Sequence, residues 1–137
     1  SMAYALEPDG ILFTSESTGI VEAGLAINTP ILKSFADAMT SLEKCRGYGA
    51  KYICLPHFGL IPQDFNEEYW MRFQQGCEDR IQMVREMKKE GLDADQMLER
   101  YRDRYWDPIM EQEQPIEAFL INAKNIIKAA LRALDEK

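Results

Sequence analysis

Apolar residues fall in short runs near the start of the chain and in helical stripes further on. Tyr4-Ala5-Leu6 and Ile11-Leu12-Phe13 flank Glu7-Pro8-Asp9-Gly10. Pro presets φ for a turn and Gly accepts positive φ, so this segment predicts a β-hairpin. The second strand runs into Thr14-Ser15-Glu16-Ser17-Thr18-Gly19, a polar loop. Residues 20–29 predict no defined element. Thr29 as N-cap and Pro30 behind it predict a helix over residues 30–47. Ile31, Leu32, Phe35, Met39 and Leu42 would form its apolar face and Gly47 its end. Tyr52-Ile53-Cys54-Leu55 is a continuous apolar run, which predicts a strand covered on both faces. Together these make a strand–helix–strand unit.

After Pro62 the periodicity is helical throughout. Asp64 or Asn66 is placed to cap a long helix that reaches about Glu90, with Gly91 behind it. Its stripe is Tyr69, Phe73, Cys77, Ile81, Val84 and Met87. Asp93 caps a shorter helix carrying Met97, Leu98, Tyr101 and Tyr105, ending before Asp107-Pro108. Gln114-Pro115 opens the last helix. Its face is Ile116, Leu120, Ala123, Ile127, Ala130 and Leu134, widened by Phe119 and Ile126. The expected fold class is therefore mixed α/β (α+β): a short hairpin and a strand–helix–strand unit over 1–62, then about three helices over 63–137.

Composition narrows the function. A chain of 137 residues can bury a real core without disulfides or structural metal. The net charge of −7 argues against nonspecific nucleic-acid binding and against an anionic membrane surface as partner. Acids and bases alternate from Glu67 to Asp107, as on solvated helix faces. The three cysteines, Cys45, Cys54 and Cys77, are widely spaced with no CxxC, which disfavours a disulfide framework or a Cys-rich zinc site. Cys54 and Cys77 fit as small core residues. No leader-like stretch opens the sequence and no apolar run approaches about 18 residues, so a cytoplasmic protein is expected.

The chemistry converges on two positions. His57 is the only histidine, and it follows the apolar run 52–55 directly. Glu16 follows the strand 11–13. Ligand sites in strand–helix–strand units lie at the carboxyl ends of the strands. Both residues fall at such ends, although composition alone favours a turn role for Glu16 and a structural role for His57 at this point. Phe58, Tyr69, Trp70 and Phe73 come soon after His57. They read either as core or as an apolar wall for a substrate beside it.

Residues 11–19, ILFTSESTG, and residues 52–59, YICLPHFG, resemble the C-terminal half of the metallo-β-lactamase fold. In that family a strand reading LF-T/S-G-D carries a metal-bridging Asp. A helix follows, then a strand ending in P-x-H-G or S-H-G that carries the last metal-ligating His. Glu16 stands at the bridging position, with Ser15 where the family has Gly. His57 stands at the final His position, with Phe58 before Gly59. The resemblance covers about residues 3–62 and implies the C-terminal half of an αββα sandwich. It also implies a site for two divalent metals, zinc or else iron or manganese, with Glu16 and His57 as ligands. The family's H-x-H-x-D-H motif is absent, and one His in 137 residues cannot supply it. The resemblance thus implies a C-terminal fragment of a metal-dependent hydrolase of a small-molecule substrate, with no complete catalytic set of its own and inactive alone. Its expected partners are the missing N-terminal half and, through exposed strand edges, further copies of itself as a dimer or larger homo-oligomer. The alternative is a non-catalytic helical interaction or dimerisation module with His57 structural.

Overall fold

A computed structural model describes residues 2–22, 26–29, 31 and 34–135. The hairpin forms as the sequence predicts. Strands β1 (Tyr4–Leu6) and β2 (Ile11–Phe13) pair antiparallel, and Gly10 takes φ 69° in the turn between them. Residues 20–29, left without an element by the sequence, contain a second small hairpin. Its strands β3 (Ile20–Val21) and β4 (Ile27–Asn28) pair antiparallel as a separate sheet.

Helix α1 (Phe35–Gly47) begins later than Thr29-Pro30 predicts. Ser34 is the actual N-cap, its Oγ accepting from the Asp37 backbone N–H at 3.1 Å. Thr29 is instead fully buried in extended chain next to β4, and Pro30 and Leu32 lie outside the described residues. The helix buries Phe35, Ala38, Leu42 and Cys45, with Met39 half-buried; Ile31 is buried but precedes the helix. Gly47 stays helical, and the positive φ after the helix falls on Gly49.

Strand β5 (Tyr52–Leu55) lies parallel to β2, and β6 (Gly59–Leu60) turns back antiparallel on β5. The sheet order is β1-β2-β5-β6. The unbroken apolar run of β5 does not mean cover on both faces. Ile53 and Leu55 are buried against the helices, whereas Tyr52 and Cys54 point to the other side and stay half-exposed. Cys54 is thus not the core residue it reads as.

Helix α2 (Asn66–Lys89) follows a 3-10 turn at Gln63–Phe65. Neither Asp64 nor Asn66 caps it through its side chain. The Asn66 amide instead donates to the carbonyls of Ala50 and Lys51, which ties α2 to the start of β5. Gly91 closes the helix at φ 77°. Helix α3 (Ala94–Tyr105) starts in a capping box between Asp93 and Gln96 and stops before Asp107-Pro108. A 3-10 segment, Pro108–Gln112, leads to α4 (Ile116–Asp135). Helix α4 packs on α2 and α3, and α1 packs on α2. A single apolar cluster joins Leu12, Ile53 and Leu55 of the sheet to Phe35 and Leu42 of α1, and to Phe73, Val84 and Ile127 of the later helices. The chain is therefore a mixed α/β protein with its helices on one side of a four-stranded sheet.

The other side of that sheet is bare and apolar. Strand register places Tyr4, Phe13, Cys54 and Leu60 in one row across all four strands, and Leu6, Ile11 and Tyr52 in the next. Tyr4 is 62% exposed, Leu6 46%, Phe13 41% and Leu60 58%. A solvated sheet face normally alternates to polar residues. On this face the only polar groups in either row are the Tyr4 and Tyr52 hydroxyls, with the Lys51 ammonium 5.3 Å from the Tyr52 ring centroid.

Candidate functional site

The parallel pairing of β2 with β5 decides where the candidate residues meet. Phe13 is level with Cys54, and the Thr14 N–H continues the ladder to the Cys54 carbonyl at 3.0 Å. Both strands therefore end side by side and pointing the same way. After β2 the chain winds into a 3-10 turn, Glu16–Thr18; after β5 it enters the tight Pro56-His57-Phe58 connection to β6. The two loops face each other, and the Glu16 Oε1 and His57 Nε2 atoms lie 2.8 Å apart although 41 residues separate them.

Backbone features hold each partner. His57 adopts φ 65°, the left-handed region that residues with a Cβ avoid. This places its imidazole above the strand end towards Glu16. On the other side the Glu16 turn is clamped to α2. The Thr18 hydroxyl donates to the Ser15 carbonyl at 3.2 Å, and the Tyr69 hydroxyl donates to the Thr18 carbonyl at 2.8 Å. Gly19 follows at φ 104°, so close beneath α2 that a Cβ there would sit 2.6 Å from Tyr69 Oη and 2.8 Å from Phe73 Cδ2. Only glycine fits both the dihedral and the space.

Tyr69, Trp70 and Phe73 are in the core, at 0%, 4% and 0% exposure. Tyr69 and Phe73 support the Glu16 loop from beneath and do not form an open wall. Burial pushes the Tyr69 phenol far above its ordinary range, so it stays a neutral donor to the Thr18 carbonyl. Phe58 is 46% exposed beside His57 and can contact a molecule approaching the pair.

The pair itself is open to solvent, with the His57 side chain 66% and the Glu16 side chain 60% exposed. An exposed ion pair adds only about 0–1 kcal/mol to stability. Two unlike donors, a carboxylate and an imidazole, are the kind that hold zinc, iron or manganese. At 2.8 Å the two atoms are hydrogen-bonded to each other, and a catalytic zinc takes about three protein ligands. Among the described residues no group of three or more His, Cys, Asp or Glu side chains lies close enough together to hold an ion. The pair can supply part of a metal site only.

One feature escaped sequence reasoning. Arg80 sits among alternating charges that read as a solvated face, yet it is 6% exposed. Its Nε donates to the Tyr101 hydroxyl at 2.9 Å and its Nη1 to the Gly76 carbonyl at 3.0 Å. The available signal was its position three residues after Cys77 and four before Val84, within the apolar stripe. Among the described residues no helix is long and apolar enough to cross a membrane. The chain matches no protein-family model and no curated protein sequence.

Proposed function

We propose that this chain is the C-terminal part of a metal-dependent hydrolase with a metallo-β-lactamase-like αββα sandwich, incomplete as a catalyst by itself. The observation that carries this reading is the bare apolar sheet face with the Glu16–His57 pair at its strand ends. Sheets in sandwiches pack face to face about 10 Å apart. A four-stranded sheet with helices on one side and Tyr4, Leu6, Phe13 and Leu60 exposed on the other is one half of such an arrangement. The missing N-terminal half would cover this face and bring the remaining ligands to the rim where Glu16 and His57 stand.

In that assembly His57 would offer an imidazole nitrogen and Glu16 its carboxylate to a metal. Metal bound there would lower the pKa of a water and polarise the scissile carbonyl or phosphoryl group. The chain's own residues position the site. The Tyr69–Thr18 bond and Gly19 hold the Glu16 turn, and the left-handed backbone at His57 aims the ring. Phe58 offers an apolar contact to a small-molecule substrate.

The test is to produce the chain together with its upstream segment, in one polypeptide or in trans. Metal content and hydrolysis of a nitrophenyl ester, a thioester and a bis-nitrophenyl phosphate are then measured. The reading requires metal-dependent turnover that His57→Ala and Glu16→Ala each abolish. A complete protein that carries no metal, or whose turnover ignores both substitutions, would eliminate it. An interaction module with a structural His57 is less well supported, because a pair this exposed stabilises little.

A further inference from the structure

A cavity of about 640 Å³ lies away from Glu16 and His57, between the β3–β4 hairpin, α2, the end of α3, the 3-10 segment and α4. That is within the range of small-molecule sites. The Arg80 guanidinium lines it. Tyr105 supports the guanidinium from one side, the cation lying 4.2 Å from the ring centroid. Arg80 is buried, but no carboxylate among the described residues lies within ion-pair distance of it. Its two hydrogen bonds among the described residues use Nε and one Nη1 proton, and no described residue accepts from the Nη2 edge. Burying a charge without a counter-charge is costly.

Two further orphaned atoms belong to residues lining the same cavity. Tyr105 Oη and Gln114 Oε1 are both buried with no hydrogen-bond partner. The acidic lining residues, by contrast, are engaged. Glu22 accepts from Asn28 at 2.6 Å, Asp79 from Gln75 at 2.9 Å, and Asp107 from the Ile109 N–H at 3.0 Å. Met110, Phe119 and Ile126 supply an apolar wall. Glu22, across the cavity, feels the Arg80 charge without pairing with it directly. A cation with no direct ion-pair partner among the described residues, a hydroxyl donor and an apolar wall suit a ligand with a carboxylate at one end and hydrocarbon at the other. The planar fork of arginine suits a carboxylate in particular.

We propose that this cavity binds a small hydrophobic carboxylate, its charge held by Arg80 and the Tyr105 hydroxyl and its hydrocarbon part lying on Met110, Phe119 and Ile126. The site is independent of the metal-dependent reading, since it shares no residue with the Glu16–His57 pair, and either can fail without the other.

Calorimetric titration of the chain with decanoate tests it, with 1-decanol as the uncharged probe. Saturable binding of decanoate is expected, with 1-decanol weaker by about tenfold or more. Arg80→Gln should abolish the preference for the carboxylate. Because Arg80→Gln also removes buried hydrogen bonds, Tyr105→Phe is the second variant. It keeps the ring beneath the guanidinium and should weaken decanoate severalfold while leaving the thermal midpoint near that of the parent. Ala123→Leu, which projects into the cavity, should reduce the binding of both probes. Absence of saturable decanoate binding, equal affinity for the two probes, or decanoate binding unchanged in Tyr105→Phe and in a folded Arg80→Gln protein would each overturn the proposal.

Discussion

His57 offers a direct test of whether the pair is held against the interest of the fold. Its backbone stands at φ 65°, and the Cβ of any L-residue there crowds the following carbonyl. That conformation costs about 1–2 kcal/mol relative to the ordinary regions. Glycine removes the crowding but has more freedom to lose on folding, which takes back about 0.5–1 kcal/mol. Among the described residues the hydrogen bond to Glu16 is the one side-chain bond His57 makes. With side chains 66% and 60% exposed it contributes about 0–1 kcal/mol. His57→Gly should therefore lie between about 1 kcal/mol below and about 1.5 kcal/mol above the parent in stability, the upper end a rise of about 4–5 °C in midpoint for a chain of this size. His57→Ala loses the same pair but keeps the crowding, and should fall below the glycine variant by about 1 kcal/mol. Urea unfolding followed by tryptophan fluorescence measures both. If the two variants are equal within error, or if glycine costs more than about 1 kcal/mol, then the histidine serves the fold and the strain argument is wrong.

Gly19→Ala should destabilise the domain by about 2 kcal/mol or more, because the new Cβ meets Tyr69 and Phe73 at a backbone angle that alanine avoids; chemical denaturation reads this directly. Burial raises the Cys77 thiol to about 12, so mass spectrometry after brief alkylation should find Cys77 labelled only in denaturant; rapid labelling in the native protein would contradict its burial. Burial holds the Glu22 carboxyl above its ordinary range, with the Asn28 hydrogen bond pulling the other way. The folded state then binds this proton more tightly than the unfolded one, so stability from this group is present below the unfolded pKa and lost as pH rises through the folded value. Glu22→Gln keeps an acceptor for Asn28, and its urea midpoint should gain on the parent more at about pH 7.5 than at about pH 4; a pH-independent difference would refute this. The bare sheet face should drive self-association in the isolated chain, and Phe13→Glu with Leu60→Glu should shift light scattering towards monomer; a parent that is monomeric at all concentrations removes the premise.

Local chemistry carried much of this fold in the sequence. Asp93 with Gln96, Pro108 after Asp107, and Gly91 after Lys89 mark helix ends through their own side chains and dihedrals, and these boundaries fall where the residues imply. The failures came where two local signals competed or where tertiary contact decided. Thr29-Pro30 is a good helix start, but Ser34 is another, and residues 27–28 pair in a small hairpin too short to show a strand period. The run Tyr52–Leu55 shows apolar residues but not which sheet face is covered, since that depends on what lies beyond. Glu16 and His57 were legible as strand-end residues, and their meeting follows from the parallel β2–β5 register. Arg80 was illegible because charge patterning averages over a helix, whereas its burial depends on tertiary neighbours, Tyr101 bonded to it and Tyr105 stacked on it.

The separation of 41 residues between Glu16 and His57 gives the pair a further property. Nothing local brings the two together. Closing a loop of that length costs about 3 kcal/mol of chain entropy, and the exposed pair returns far less than that. It can form only where β2, α1, β5 and the Tyr69 support beneath Thr18 have already assembled. A probe that requires both side chains, such as a chelated ion or a bifunctional cross-linker, would therefore be silent in any partly folded form. It would report assembly of the whole domain from a single point on its surface.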